Sequence, residues 1–255
     1  MRFIQLVNFE VGLGCNMRHA LCPAWSPERF LHVDTSAIMT DELIVKTAVA
    51  LRKDFGFRGF FGWTHYNESL LFKERVEWLM DAIDKECPSA RYLLITNGTK
   101  LMDVGLPFLS RFERISISNY GVVRESDVQA IRDVTNVVFT QESMDDRIKR
   151  YKMRDFRNDR ACMRTLVTLP VDYFGNVRLC CIDWKGESTL GNLRTTPLSI
   201  VEERLHLARK ATVGGITQDA PIACQRCPNK YHLNPMSVVC PRVAENTQRF
   251  FRSAM

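Results

Sequence analysis

The sequence predicts an α/β chain: βα units around a parallel sheet, followed by a small C-terminal module of β-hairpin and helix that binds metal. Three observations predict it. Up to about residue 145, short apolar runs alternate with stretches of helical period, the pattern of parallel βα units. Beyond that point the rhythm changes, and the nine cysteines fall mainly into two groups. A chain of 255 residues, 45% hydrophobic and 25% charged, supplies one large domain, or a domain plus an appendage, with a real core, which excludes disorder and fibrous repeats.

The strand candidates are the apolar runs 3–11, 57–63, 91–96, 114–118 and 136–140. Between the first two, Ile44, Ala48, Leu51 and Phe55 form the apolar stripe of a helix. Thr40 is its N-cap, Asp41 and Glu42 stand in its first turn, and Gly56 closes it. A second helix puts Val76, Leu79, Met80 and Ile83 on one face, and Gly105 and Pro107 interrupt a third over 101–112. After a basic stretch, strands at 165–171 and 177–182 are joined through Tyr173, Phe174, Gly175 and Asn176 as a hairpin. A helix over 197–210, opened by Pro197, precedes Cys224 and Cys227. The first ten residues hold neither a long apolar stretch nor a small-residue cleavage site, and no run of 18 apolar residues offers a membrane span. The expectation is a cytoplasmic chain with no membrane contact, whose odd number of thiols serves metal or redox chemistry rather than disulfides.

Cys15-Asn-Met-Arg-His19-Ala-Leu-Cys22 lies in the loop directly after the first strand. Parallel βα architectures bind ligands at the carboxyl ends of their strands, so this loop is placed to hold a cofactor. The spacing resembles the cluster loop of the radical S-adenosylmethionine (SAM) superfamily, Cys-x3-Cys-x2-Cys, with His19 in the middle place. The resemblance implies a partial parallel (β/α) barrel of about five or six strands. It also implies a 4Fe-4S cluster ligated by Cys15, His19 and Cys22, with one iron left to chelate SAM. Replacing an anionic thiolate by neutral imidazole makes a cluster less negative and raises its potential, which works against reduction of SAM. The other reading of His19, a polar loop residue beside a two-cysteine metal site or a lost cluster, stays open.

Further landmarks follow in order, each at a strand end. Tyr66-Asn67-Glu68-Ser69-Leu70-Leu71 resembles the superfamily's Gly-Gly-Glu-Pro-like segment, which implies that the Asn67 backbone and the Glu68 carboxylate receive the SAM ammonium group. Thr96-Asn97-Gly98 and Ser118-Asn119 resemble the turns after its third and fourth strands. They imply Asn97, Ser118 and Asn119 as further SAM contacts, the last two near the ribose.

A second set of thiols consists of Cys162, Cys180 five residues after Gly175, and the pair Cys224 and Cys227. Four thiolates suit tetrahedral zinc or a fully ligated iron-sulfur cluster, and spacing alone leaves both open. The arrangement, with Leu190-Gly191-Asn192-Leu193 after the hairpin, resembles the SPASM module of radical SAM proteins in its shortened, single-cluster twitch form. The resemblance implies a second, auxiliary 4Fe-4S cluster and three regions: a barrel over 1–145, a basic connector over 146–161 and the twitch-like module over 162–255. Cys181 is an alternative to Cys180 as ligand. Cys87 reads as a packed small residue, and Cys240 as a cap of the module or a spare thiol. Of the histidines, His65 is placed to face the SAM site, whereas His32, His206 and His232 read as surface or packing residues.

Eight basic residues against two acidic ones between 147 and 164 account for the whole net charge of +6. Such a run is either a solvated connector or an anion-binding wall for a phosphorylated substrate, a nucleotide or a nucleic-acid backbone. Arg154 is its candidate for the residue nearest substrate. The resemblance implies an enzyme that splits SAM to a 5'-deoxyadenosyl radical and takes hydrogen from a small, anionic or nucleotide- or sugar-like substrate. An electron donor such as flavodoxin or ferredoxin would serve it. Two rival readings remain: a non-catalytic binding or scaffold protein of the same fold, and a zinc protein that binds nucleic acid through 147–164.

Overall fold

The apolar runs become short strands, most of whose side chains are buried, the condition that favours parallel pairing. The computed structural model describes residues 1, 3–141, 148, 151, 162, 164–213 and 218–227. Its strands are β1 (Leu6–Phe9), β2 (Phe60–Gly62), β3 (Leu93–Thr96), β4 (Arg114–Asn119), β5 (Asn136–Gln141), β6 (Thr168–Val171), β7 (Asn176–Val177) and β8 (Gly191–Asn192). The sheet order is β2-β1-β6-β7-β8 and β3-β4-β5, and a parallel bridge between Phe61 and Tyr92 joins the two groups. The first six strands pair in parallel, with Leu6 opposite both Phe60 and Thr168. Their carboxyl ends therefore share one edge, and the loops carrying Cys15, His19 and Cys22, Glu68, and Asn97 follow the ends of β1, β2 and β3.

The helices are α1 (Asp41–Lys53), α2 (Lys73–Glu86), α3 (Leu101–Val104), α4 (Leu106–Leu109), α5 (Glu125–Arg132), α6 (Arg164–Val167), α7 (Leu198–Val213) and α8 (Ile222–Arg226). In α1, Thr40 Oγ1 accepts from the Leu43 N–H at 3.2 Å, and Ile44, Ala48 and Leu51 are fully buried. Gly56, at φ +63°, lets the chain turn so that the Phe57 N–H reaches the Leu51 carbonyl at 2.9 Å. In α2, Val76, Leu79, Met80 and Ile83 enter the same core, and Cys87 packs against it as expected of a small apolar residue.

Some elements differ from expectation. The interrupted helix over 101–112 is two single turns separated at Gly105, whose φ is +82°. Helix α5 was not expected; its eight residues bury only Val128 and Ile131, a weak periodic signal. The start of the expected strand 165–171 is helical, as α6. The expected strand 177–182 pairs only as far as Val177, because the chain bends at Leu179 and Cys180 and turns at Cys181. The hairpin itself is present: Asp172 Oδ1 accepts from the Phe174 and Asn176 N–H groups at 3.0 and 2.9 Å, and Gly175 takes φ +84°. No described helix is long and apolar enough to cross a membrane.

Candidate functional site

The loop after β1, the segment after β2 and the turn after β3 are locked together by hydrogen bonds. The Glu68 N–H donates to the Gly14 carbonyl at 3.0 Å. Its carboxylate, 2% exposed, accepts from Thr96 Oγ1 at 2.8 Å, from the Asn97 N–H at 2.8 Å and from the Leu70 N–H at 3.2 Å. Burial nevertheless outweighs these donors and raises the Glu68 pKa. From β3, Asn97 Nδ2 reaches back to Cys15 Sγ at 3.5 Å and to Asn16 Oδ1 at 2.9 Å. Cys15 Sγ also accepts from the Met17 N–H at 3.4 Å, while burial, aided by the nearby Glu68, raises its pKa.

His19 is buried in the same loop at 8% exposure, with its ring edge-on to Tyr120 at 4.3 Å. Its Nε2 is buried and has no hydrogen-bond partner among the described residues. A buried imidazole nitrogen without a partner costs free energy unless something coordinates it, so His19 suits a ligand role. The remaining expected contacts are partly engaged within the chain. Asn67 accepts from the His65 N–H and donates to the Trp63 carbonyl, and Asn119 Oδ1 holds the N–H groups of Gly121, Val122 and Val123. Ser118 is half-buried at the end of β4.

The second group of thiols lies in one region. Cys180 lies close enough to Cys181, Cys224, Cys227 and Cys162 to be influenced by each, though burial is the main cause of its strongly raised pKa. Burial followed by Cys162, Cys227 and Asp183 does the same to Cys224. The backbone N–H groups of Arg164 and Thr165 donate to the Cys162 sulfur. Burial favours the neutral thiols, and a metal or iron-sulfur group bound here would supply the positive charge that lets them ionise as ligands. No disulfide joins any of the eight described cysteines. Among the described residues no three His, Cys, Asp or Glu side chains converge as they would on a single ion.

Sequence reasoning missed the groups that join the two sites. Glu10, just after β1, pairs with Arg29, and both are wholly buried. The Arg29 guanidinium lies over the Tyr66 ring at 4.9 Å, and the Tyr66 hydroxyl donates to the Cys181 carbonyl at 2.5 Å. Nothing local in the sequence marks Arg29 or Glu10, because their partners are remote along the chain. Arg154 and most of the basic run over 147–164 lie outside the described residues, as do Cys240 and His232.

Solved structures share this arrangement of elements. BtrN in complex with AdoMet and 2-DOIA superposes with a TM-score of 0.65 at 20% identity, covering 89% of this chain and 94% of that one. Selenomethionine BtrN in an open conformation gives 0.63 at 18% identity over 89% and 92%. Native anSMEcpe with bound AdoMet gives 0.57 at 14% identity over 98% and 96%. The chain has the radical SAM fold. No protein-family model and no curated protein sequence matches it. Within the radical SAM fold, the loop carrying Cys15, His19 and Cys22 follows the first strand, and Glu68 and Asn97 follow the second and third.

Proposed function

We propose that the chain is a radical SAM enzyme that cleaves SAM reductively and abstracts hydrogen from a small polar substrate, with an auxiliary cluster assisting a net oxidation. The observation that carries this reading is the interlock of Cys15, Glu68 and Asn97 at the carboxyl ends of three parallel strands. Cys15, His19 and Cys22 would hold a 4Fe-4S cluster there, His19 through its unpartnered Nε2, and the cluster would supply the electron for reductive cleavage of SAM to methionine and the 5'-deoxyadenosyl radical. Glu68 and the Asn67 backbone hold the ammonium group of SAM, while Asn97, Ser118 and Asn119 line the rest of it. Tyr120 fixes the His19 ring by its edge contact.

Cys162, Cys180, Cys224 and Cys227 hold the auxiliary cluster. Sulfurs sharing one zinc at about 2.3 Å crowd together, whereas a cluster gives each thiolate its own iron. The substrate is anionic or sugar-like, of the size of the 2-DOIA bound to BtrN, and Arg154 in the basic run contacts it. Flavodoxin or ferredoxin donates the electron.

Anaerobic purification with iron, sulfide and zinc analysis, then incubation with SAM and dithionite, tests the whole reading. About eight irons per chain together with 5'-deoxyadenosine is the expected result. Iron for one cluster without 5'-deoxyadenosine indicates a non-catalytic relative, and zinc without iron overturns the proposal.

A further inference from the structure

Five thiols, not four, lie near the hairpin: Cys180 is within electrostatic reach of Cys162, Cys181, Cys224 and Cys227. A 4Fe-4S cluster has one thiolate position on each of its four irons, so one sulfur is surplus. Cys180 and Cys224, both 6% exposed, sit deepest among them. Cys181 is more open, and its Sγ accepts from Arg164 Nη1 at 2.8 Å. Its backbone is pinned separately, by the Tyr66 hydroxyl on its carbonyl at 2.5 Å.

Arg164 is held in place from its own backbone. It opens α6 two residues after Cys162, whose sulfur accepts the Arg164 N–H, and Thr168 Oγ1 donates to the Arg164 carbonyl at 3.0 Å. The sulfurs of Cys181, Cys180 and Cys162 favour the charged form of its guanidinium and together outweigh its burial. A planar, permanently charged group is therefore fixed at the edge of the thiol set. Charge and hydrogen bonds at the sulfurs are what set the potential of an iron-sulfur cluster.

We propose that Arg164 is a positioning residue of the auxiliary site: it holds Cys181 out of the ligand set and sets a fixed positive charge against the cluster sulfurs, raising the cluster's reduction potential. This rests on the auxiliary-cluster reading above. It assigns Cys180, not Cys181, as the fourth ligand, and it suits the auxiliary cluster to accepting an electron rather than giving one.

The test is a potentiometric titration, followed by electron paramagnetic resonance, of the full chain carrying Cys15→Ala and Cys22→Ala, so that the signal reports the auxiliary site alone. Arg164→Gln in that background is expected to retain its iron and to lower the one-electron reduction equilibrium about tenfold, or 59 mV. Arg164→Lys should keep most of the parent potential, and Cys181→Ala should keep full iron. Arg164→Gln with full iron and an unmoved potential overturns the proposal, as does loss of the cluster in Cys181→Ala. If Arg164→Gln fails to load, Arg164→Lys decides: loading at the parent potential supports the charge role, and failure to load overturns it. A Cys15→Ala/Cys22→Ala parent without iron overturns the auxiliary-cluster reading, and the assignment of Arg164 with it.

Discussion

Glu68 is a carboxylate buried beneath the cluster loop, and its titration has a definite sign. Burial raises its pKa from the ordinary 4.5, so the folded chain holds the proton more tightly than the unfolded one. Its contribution to stability is full below 4.5 and is lost as pH rises through the folded value. Glu68→Gln removes that slope in urea titrations across pH and, by deleting a charged acceptor, is expected to weaken SAM binding roughly tenfold or more by calorimetry. Glu113 behaves oppositely. Arg91 holds its carboxyl below 4.5, giving stability that is present above that value and is lost as pH falls. With side chains 42% and 47% exposed, the pair contributes no more than about 1 kcal/mol, so Arg91→Gln should flatten the acid limb only slightly, and less in high salt. His19→Ala is expected to remove about four irons per chain while sparing the auxiliary set. At this scale the sequence revealed what is local: Glu68 and Asn97 stand in short words at strand ends. It concealed Arg29 and Tyr120, whose contacts join separate loops.

Among the elements, α1 was legible in full because its cap, first-turn acids, apolar stripe and closing glycine occur within 17 residues of chain, 40–56. Thr40→Ala should cost about 1 kcal/mol by chemical denaturation, the usual worth of such a cap. Helix α5 and the end of the hairpin were not legible, since two buried side chains give no clear period and the bend at Cys180 follows from tertiary contacts. After that bend, Gly186 takes φ +76° with Arg178 Nη1 and Val33 Cγ1 where a Cβ would lie. Gly186→Ala therefore strains the backbone and pushes on a buried guanidinium, a loss of roughly 1–3 kcal/mol from the backbone alone.

Across the molecule, the hairpin is fastened to the carboxyl end of β1 by wholly buried ion pairs. Arg178 binds Asp172 through Nε at 2.9 Å and Nη2 at 2.7 Å, and Nη2 also donates to the Arg29 carbonyl at 3.1 Å. Arg29 holds Glu10, whose Oε2 accepts the Tyr173 N–H at 3.1 Å. Arg29→Met leaves Glu10 buried without its cation and is expected to cost about 3–5 kcal/mol. Replacing both partners, Glu10→Leu with Arg29→Met, should recover most of that loss when the variants are compared by chemical denaturation. None of this was legible, because a residue at position 10 and one at 173 share no sequence window.

The seating of β6 against β1 has a consequence for the order in which the chain is made. The innermost strand exposes one edge until position 171 has emerged, and Glu10 meets its last donor only with the residue at 173. Synthesis of the first 145 residues thus yields an open sheet edge and a half-compensated carboxylate, not a finished domain. A fragment ending at 145 is expected to be cut rapidly by protease under conditions in which the full chain resists. The sequence changes rhythm at 145, yet β1 finds its second neighbour only in β6.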